Sequence, residues 1–291
     1  MDPLDLVNLT PLMELTSGRP EVALALIDGP VAADHPDLSA SRIREVPGGR
    51  RGTCEQGGSI ACAHGTFVAG ILSARRGSAA PAICPDCTLL LCPIFSETGS
   101  ANGHLPGAAP AELAAAIVEC VGAGARVINM SVALAQPSTR GERRLEESLD
   151  HAARRGVIVV AAAGNQGTVG SSAITRHPWV IPVAACDLQG RPLRESNLGG
   201  SMGRRGLCAP GESVTSLGVE GRPLTSGGTS IAAPFVTGAV ALLWSEFPAA
   251  TASQVKLAVT QGRGARRATV VPPLLDAWAA FQSVSGASVR R

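Results

Sequence analysis

A carboxylate, an imidazole and a hydroxyl stand at three separated places in this 291-residue chain, each where an apolar run starts or stops. Ser230 lies in Gly227-Gly228-Thr229-Ser230-Ile231-Ala232-Ala233-Pro234, ahead of an apolar helical stretch reaching 247. Paired glycines open backbone conformations barred to residues with a Cβ, and a serine at a helix N-terminus feels the positive end of the macrodipole and free N–H groups. Pro234 suits a place in the first turn, where an N–H has no intrahelical partner to lose. The plain alternative is a glycine turn capped by Ser or Thr. Asp28 closes the continuous apolar run 22–28, which reads as a buried strand delivering a carboxylate just before Gly29. His64 opens the apolar helical run 64–75, in its first turn. Together these are the parts of an acyl-transfer site: the imidazole takes the serine proton, and the carboxylate fixes the imidazole tautomer and stabilises the imidazolium.

A fourth run, Val157-Ile158-Val159-Val160-Ala161-Ala162-Ala163-Gly164-Asn165, reads as a buried strand ending in an amide. In this chain order, the runs around Asp28, His64, Asn165 and Ser230 resemble the motifs of the subtilisin-like serine peptidases. The resemblance covers about 21–261. It includes Arg126-Val127-Ile128-Asn129-Met130-Ser131, similar to the strand lining the family's substrate cleft, and Cys208-Ala209-Pro210-Gly211, similar to a loop ahead of the nucleophile. It implies a triad of Asp28, His64 and Ser230, with Asn165 donating to the oxyanion of a tetrahedral intermediate. It further implies substrate-binding walls from Ser131, Val132 and Ala133 and from Ala162, Ala163 and Gly164, a peptide or protein substrate, and no cofactor.

The chain departs from the common pattern in ways that carry meaning. Asp28 is followed by Gly29-Pro30-Val31 where the family usually has Ser or Thr and then Gly, and Phe67 replaces a common histidine. Val132-Ala133-Leu134 stands where glycines are common, which predicts narrower subsites without a charged selector. Arg75-Arg76-Gly77-Ser78-Ala79-Ala80 replaces a loop that often binds calcium, so no metal is expected there. With His35-Pro36-Asp37-Leu38, Pro93-Ile94-Phe95-Ser96 and too few leading residues for a pro-domain, the chain resembles the cyanobactin-maturation proteases, which trim ribosomally made precursor peptides. One relative in that branch is a macrocyclase whose helical insertion between aspartate and histidine shields the acyl-enzyme. Residues 29–63 have loop character instead, so hydrolysis is expected over cyclisation. A peptide-binding pseudo-peptidase is the alternative from another class.

Composition narrows the remaining classes. At 45 % hydrophobic and 16 % charged, with a formal charge of +2, the chain can bury a large core, and its arginines come as scattered pairs. Nucleic-acid and membrane-surface binding are not expected. Neither a membrane-spanning run nor a signal-peptide pattern after Met1 is visible, so a cytoplasmic location is expected. Eight cysteines complicate that reading. Cys120, Cys186 and Cys208 read as buried thiols, and Cys84-Pro85-Asp86-Cys87 has the spacing of half a zinc site without a second half. Cys54 and Cys62 bracket a glycine loop ahead of His64, where they stand either as free thiols or as a disulfide bracing the histidine's approach.

The elements that must position these groups follow from periodicity. Apolar runs at 22–28, 88–95, 127–131, 157–163 and 180–185 alternate with helical patterns at 64–75, 111–122, 142–155 and 231–247. That pattern predicts a three-layer α/β sandwich, a mostly parallel central sheet with helices on both faces. Ligands of such sheets gather beyond the strand C-termini, where Asp28 and Asn165 fall. The expected organisation is a short helical segment at 1–19, a single domain at 20–282 and a disordered tail at 283–291. His35, His104, His151 and His177 read as loop or surface residues, and Asp34 and Asp37 follow the first strand rather than end it.

Overall fold

The computed structural model describes residues 1–38, 42–56, 58–98, 108–134, 142–261 and 269–288; His104 and the expected Gly/Arg loop at 262–268 lie outside them. Two short helices, α1 (Pro3–Leu6) and α2 (Thr10–Leu15), lead into β1 (Ala23–Asp28), β2 (Arg42–Glu45), α3 (Ile60–Ser73) and β3 (Thr88–Pro93). Then follow α4 (Pro110–Gly122), β4 (Val127–Met130), α5 (Arg143–Arg154), β5 (Ile158–Ala162), α6 (Ala173–Arg176) and β6 (Val180–Cys186). The last part comprises α7 (Gly200–Arg205), β7 (Leu207–Pro210), β8 (Val214–Ser216), β9 (Leu224–Ser226), α8 (Thr229–Glu246), α9 (Ala252–Thr260) and α10 (Ala277–Ser288). Strands β1 to β7 form one sheet in the order β2-β3-β1-β4-β5-β6-β7 with every neighbouring pair parallel, while β8 and β9 make a separate antiparallel hairpin.

Each face of the sheet carries its own core. Along β1, Leu24 and Leu26 point to the layer that holds α3 and α8, whereas Ala25 and Ile27 point to the layer of α4 and α5. Strands buried on both faces explain the unbroken apolar runs of the sequence. Helix α8 passes through the first core with every residue from Ile231 to Ser245 buried, so it is apolar all round rather than striped.

Three expectations change. Helix α3 begins at Ile60, capped by Ser59, whose Oγ accepts from Cys62 N at 3.2 Å, so His64 is its fifth residue and not part of its first turn. Helix α8 begins at Thr229, so Pro234 is its sixth residue, and its missing N–H leaves the carbonyl of Ser230 without the usual i+4 donor. Helix α10 continues to Ser288, so the first six residues of the expected tail are helical, extending a helix whose Ala277, Ala280 and Val284 are buried.

Candidate active site

The sheet order lines up the chemistry. In β1, β4 and β5, adjacent in that order, Ile27, Met130 and Ala161 lie in one register row, so Asp28, Ser131 and Ala162 emerge side by side at the C-terminal edge. Asp28 is fully buried; its Oδ1 accepts from Gly29 N at 2.6 Å and lies 2.7 Å from His64 Nδ1. His64 Nε2 is 3.0 Å from Ser230 Oγ, the second residue of α8. Carboxylate, imidazole and hydroxyl therefore form one hydrogen-bonded line. Burial alone would lower the His64 pKa, but the charge of Asp28 and the hydrogen bond between them outweigh it and raise it above the ordinary imidazole value.

Close backbone approach makes this line possible. A Cβ on Gly29 would lie 2.0 Å from the Ala61 carbonyl oxygen, and one on Gly65 would lie 2.3 Å from that of Pro30. The departure at Gly29 thus has a steric cause: α3 rests directly on the chain that leaves β1. Thr66 Oγ1 accepts from Ala32 N at 2.9 Å and fixes the same contact one residue further along α3.

Asn165 follows the end of β5 and is exposed. Its Oδ1 accepts from both Thr229 N and Thr229 Oγ1 at 2.9 Å, so the amide is oriented with Nδ2 as the remaining donor. That Nδ2 is 3.0 Å from the point a Gly228 Cβ would occupy, beside the start of α8, where Thr229 N donates to Asn165 Oδ1 and Ile231 N to the Gly228 carbonyl, which leaves the Ser230 N–H as the first-turn donor. The Asn165 amide and the N-terminal turn of α8 thus adjoin each other.

The subtilase family pattern matches residues 19–268. The chain belongs to the subtilase family. This subtilase is 32 % identical to subtilisin DY of Bacillus licheniformis over 81 % of each chain, though it spans only 58 % of several longer curated subtilisins. Among solved structures it is similar to the protease domain of PatA (TM-score 0.84, 29 % identity, 93 % of this chain and 97 % of that one). It is likewise similar to the prenylagaramide maturation protease PagA (TM-score 0.83, 27 % identity, 96 % and 98 %). By family it is a subtilisin-like serine protease, and members of that family are serine endopeptidases.

The other anticipated residues of this subtilase have mixed fates. Ala133 is exposed and faces Gly164, whose added Cβ would lie 3.3 Å from that of Ala133, so the two walls oppose each other. Ala162 and Ala163 are buried, and Val132 packs inward with the α4 and α5 core, so its side chain is not the cleft wall that the sequence suggested. Ser131 turns out to brace Ser230: its Oγ–H donates to the Ser230 carbonyl at 2.9 Å while accepting from Asn129 Nδ2 at 2.8 Å. Sequence reasoning missed Asn129, Thr237 and Thr229. Thr237 Oγ1 donates to Asn129 Oδ1 at 2.8 Å, and only an unpaired polar residue inside apolar α8 could have signalled it. Beside Ala163 lies a small pocket walled by Leu134, Thr168, Ser172, Asn197 and Met202, all uncharged.

The cysteines resolve as follows. Cys54 and Cys62 are joined as a disulfide with Cα atoms 5.7 Å apart, whereas Cys84, Cys87, Cys92, Cys120, Cys186 and Cys208 are free and buried. Cys54, Cys62 and Glu97 have metal-ligand proximity among the described residues, but the two sulfurs are already bonded to each other. In the loop where calcium was not expected, the Arg76 guanidinium donates to the carbonyls of Met13 (2.5 Å), Thr16 (2.7 Å) and Ile83 (3.2 Å).

Proposed function

We propose that this subtilase hydrolyses peptide bonds with Ser230 as nucleophile, His64 as general base and then acid, Asp28 as the group that orients and stabilises the imidazolium, and Asn165 as oxyanion donor. The observation that carries the reading is the unbroken line from Asp28 Oδ1 through both His64 nitrogens to Ser230 Oγ, at 2.7 and 3.0 Å. Both distances fall within the reach that proton transfer requires. Attack on the scissile carbonyl transfers the Ser230 proton to His64 Nε2. The tetrahedral oxyanion is met by Asn165 Nδ2 and the backbone N–H of Ser230, and the imidazolium then protonates the leaving amine.

The substrate is read as a ribosomally made precursor peptide, supported by the likeness to PatA and PagA. The uncharged pocket beside Ala163 favours a small or polar uncharged residue before the cut. Between Asp28 and His64 the described residues contain only β2 and the start of α3, without an inserted lid helix, which favours water over an amine as the second nucleophile. No helix among the described residues is long and apolar enough to cross a membrane. The cytoplasmic reading has the Cys54–Cys62 disulfide against it, since reducing compartments keep most thiols open. A fluorophosphonate probe tests the activity: it should label the protein and fail on Ser230→Ala. Mass analysis of a cleaved precursor should show linear product; predominantly cyclic product, lighter by one water, would overturn hydrolysis.

A further inference from the structure

The disulfide lies where it couples the two halves of the catalytic line. Cys54 N donates to the Val31 carbonyl at 3.0 Å, and Val31 is three residues past Asp28. Cys62 is the third residue of α3 and stands two before His64. The S–S bond therefore joins the segment that leaves the acid to the turn that carries the base.

The two sides of His64 are held differently. From Gly65 onward α3 is fastened to the body of the protein, by the contact with Gly29 and Pro30, by Ala32 N on Thr66 Oγ1, and by Ser216 Oγ donating to the Phe67 carbonyl at 2.7 Å. Ahead of His64 one buried packing contact, Ala61 against Gly29, reaches the body of the protein, and the hydrogen bonds there are local or peripheral. Ser59 caps its own helix, and Glu97 accepts from Glu55 N and Gln56 N at 2.9 Å within an exposed loop. The disulfide is the covalent tie on that side.

Solvent access among the cysteines is greatest at the same bond. Cys54 is partly exposed, whereas its partner Cys62 and the six free thiols are buried. Burial pushes Cys186 and Cys208 up to about 12, which leaves them protonated and inert.

Resting on the protease reading above, we propose that Cys54–Cys62 is a site of reversible thiol–disulfide exchange with a dithiol reductant, closed in the fast enzyme and open in a slow one. In the step, a dithiol gives two electrons and two protons to the S–S bond, which breaks into two thiols while the reductant closes its own disulfide. Freed of the tie, the start of α3 frays and His64 loses its alignment with Ser230.

Dithiothreitol is the probe. After treatment of the folded wild-type protein, iodoacetamide should add two labels, and fluorophosphonate labelling of unalkylated reduced protein should slow about tenfold, the scale of a modest misplacement of a catalytic group. Reoxidation should restore the rate, and Cys54→Ser/Cys62→Ser should show the slow rate with no response to dithiol. The wild-type arm needs no variant, so misfolding of the serine pair does not decide the outcome. A bond that stays closed in folded protein, or one that opens with labelling unchanged, overturns the switch alone. Absence of labelling in both states overturns the switch together with the protease reading.

Discussion

The hydroxyl of Ser131 donates to the backbone carbonyl of Ser230 at 2.9 Å, filling the acceptor that Pro234 leaves without an intrahelical partner. Loss of an i+4 bond at Ser230 is thereby converted into a tether between the end of β4 and α8. Thr237 and Asn129 hold the tether in turn. Ser131→Ala should destabilise the protein by about 1–3 kcal/mol, because the buried Asn129 Nδ2 and the part-buried Ser230 carbonyl both lose a partner. It should also slow labelling of Ser230. Adding Pro234→Ala returns an N–H to that carbonyl, so the double variant should recover part of the stability in urea denaturation; strictly additive losses would contradict this account.

Asn165→Ala should lower kcat about 10²- to 10³-fold with little change in KM, a magnitude borrowed from subtilisin. Thr229→Val should lower it less, since it removes one of the two hydrogen bonds that orient the Asn165 amide. Steady-state kinetics on a peptide substrate check both. A raised KM with kcat unchanged would place Asn165 in ground-state binding.

Activity should rise with pH through an inflection above the ordinary histidine value of about 6.5, because His64 must be neutral to accept the serine proton and Asp28 holds its pKa up. For stability the sign is opposite: a raised folded-state pKa contributes fully below the unfolded value and is lost as pH climbs through the folded one. Asp28→Asn removes both raising influences and leaves burial, so the inflection should move down while the rate falls roughly 10⁴-fold. A pH profile of kcat/KM measures both; an unmoved inflection would mean that Asp28 does not govern His64.

Gly29→Ser would install the residue usual in the family and should still be harmful. Its Cβ would meet the Ala61 carbonyl at 2.0 Å, so α3 must shift, at about 1–3 kcal/mol and with slower labelling. A fully active, equally stable Gly29→Ser would show that α3 can move without disturbing His64.

Arg76 binds three carbonyls from the N-terminal segment and the loop after α3, taking a place that a cation can fill. Arg76→Ala should lower stability by about 1–3 kcal/mol, and a chelator should leave the wild-type Tm unchanged. A large drop in Tm with chelator would show that a metal contributes there.

The site was more legible than the scaffold. Asp28, Asn165 and Ser230 each sit at the mouth of a strongly apolar run and His64 four residues inside one, so type and approximate position could be read together. Strand β2 was hidden because it lies at the sheet edge with charged, mostly exposed residues, Arg42-Ile43-Arg44-Glu45. Strand β7 was hidden because four residues ending in Pro210 give no period. The start of α3 was misplaced because Ile60-Ala61-Cys62 looks like the end of a loop until Ser59 is seen capping it. Ser131 and Ser230 are 99 residues apart, and periodicity carries no information on such a contact.

Helix α8 offers a last point. The element whose N-terminal turn presents Ser230 is also the central pillar of the larger core, buried from Ile231 to Ser245. Segments so enclosed exchange their amide protons only when the entire fold opens. Heating should therefore abolish turnover and native structure along a single curve, with no folded but inert species on the way.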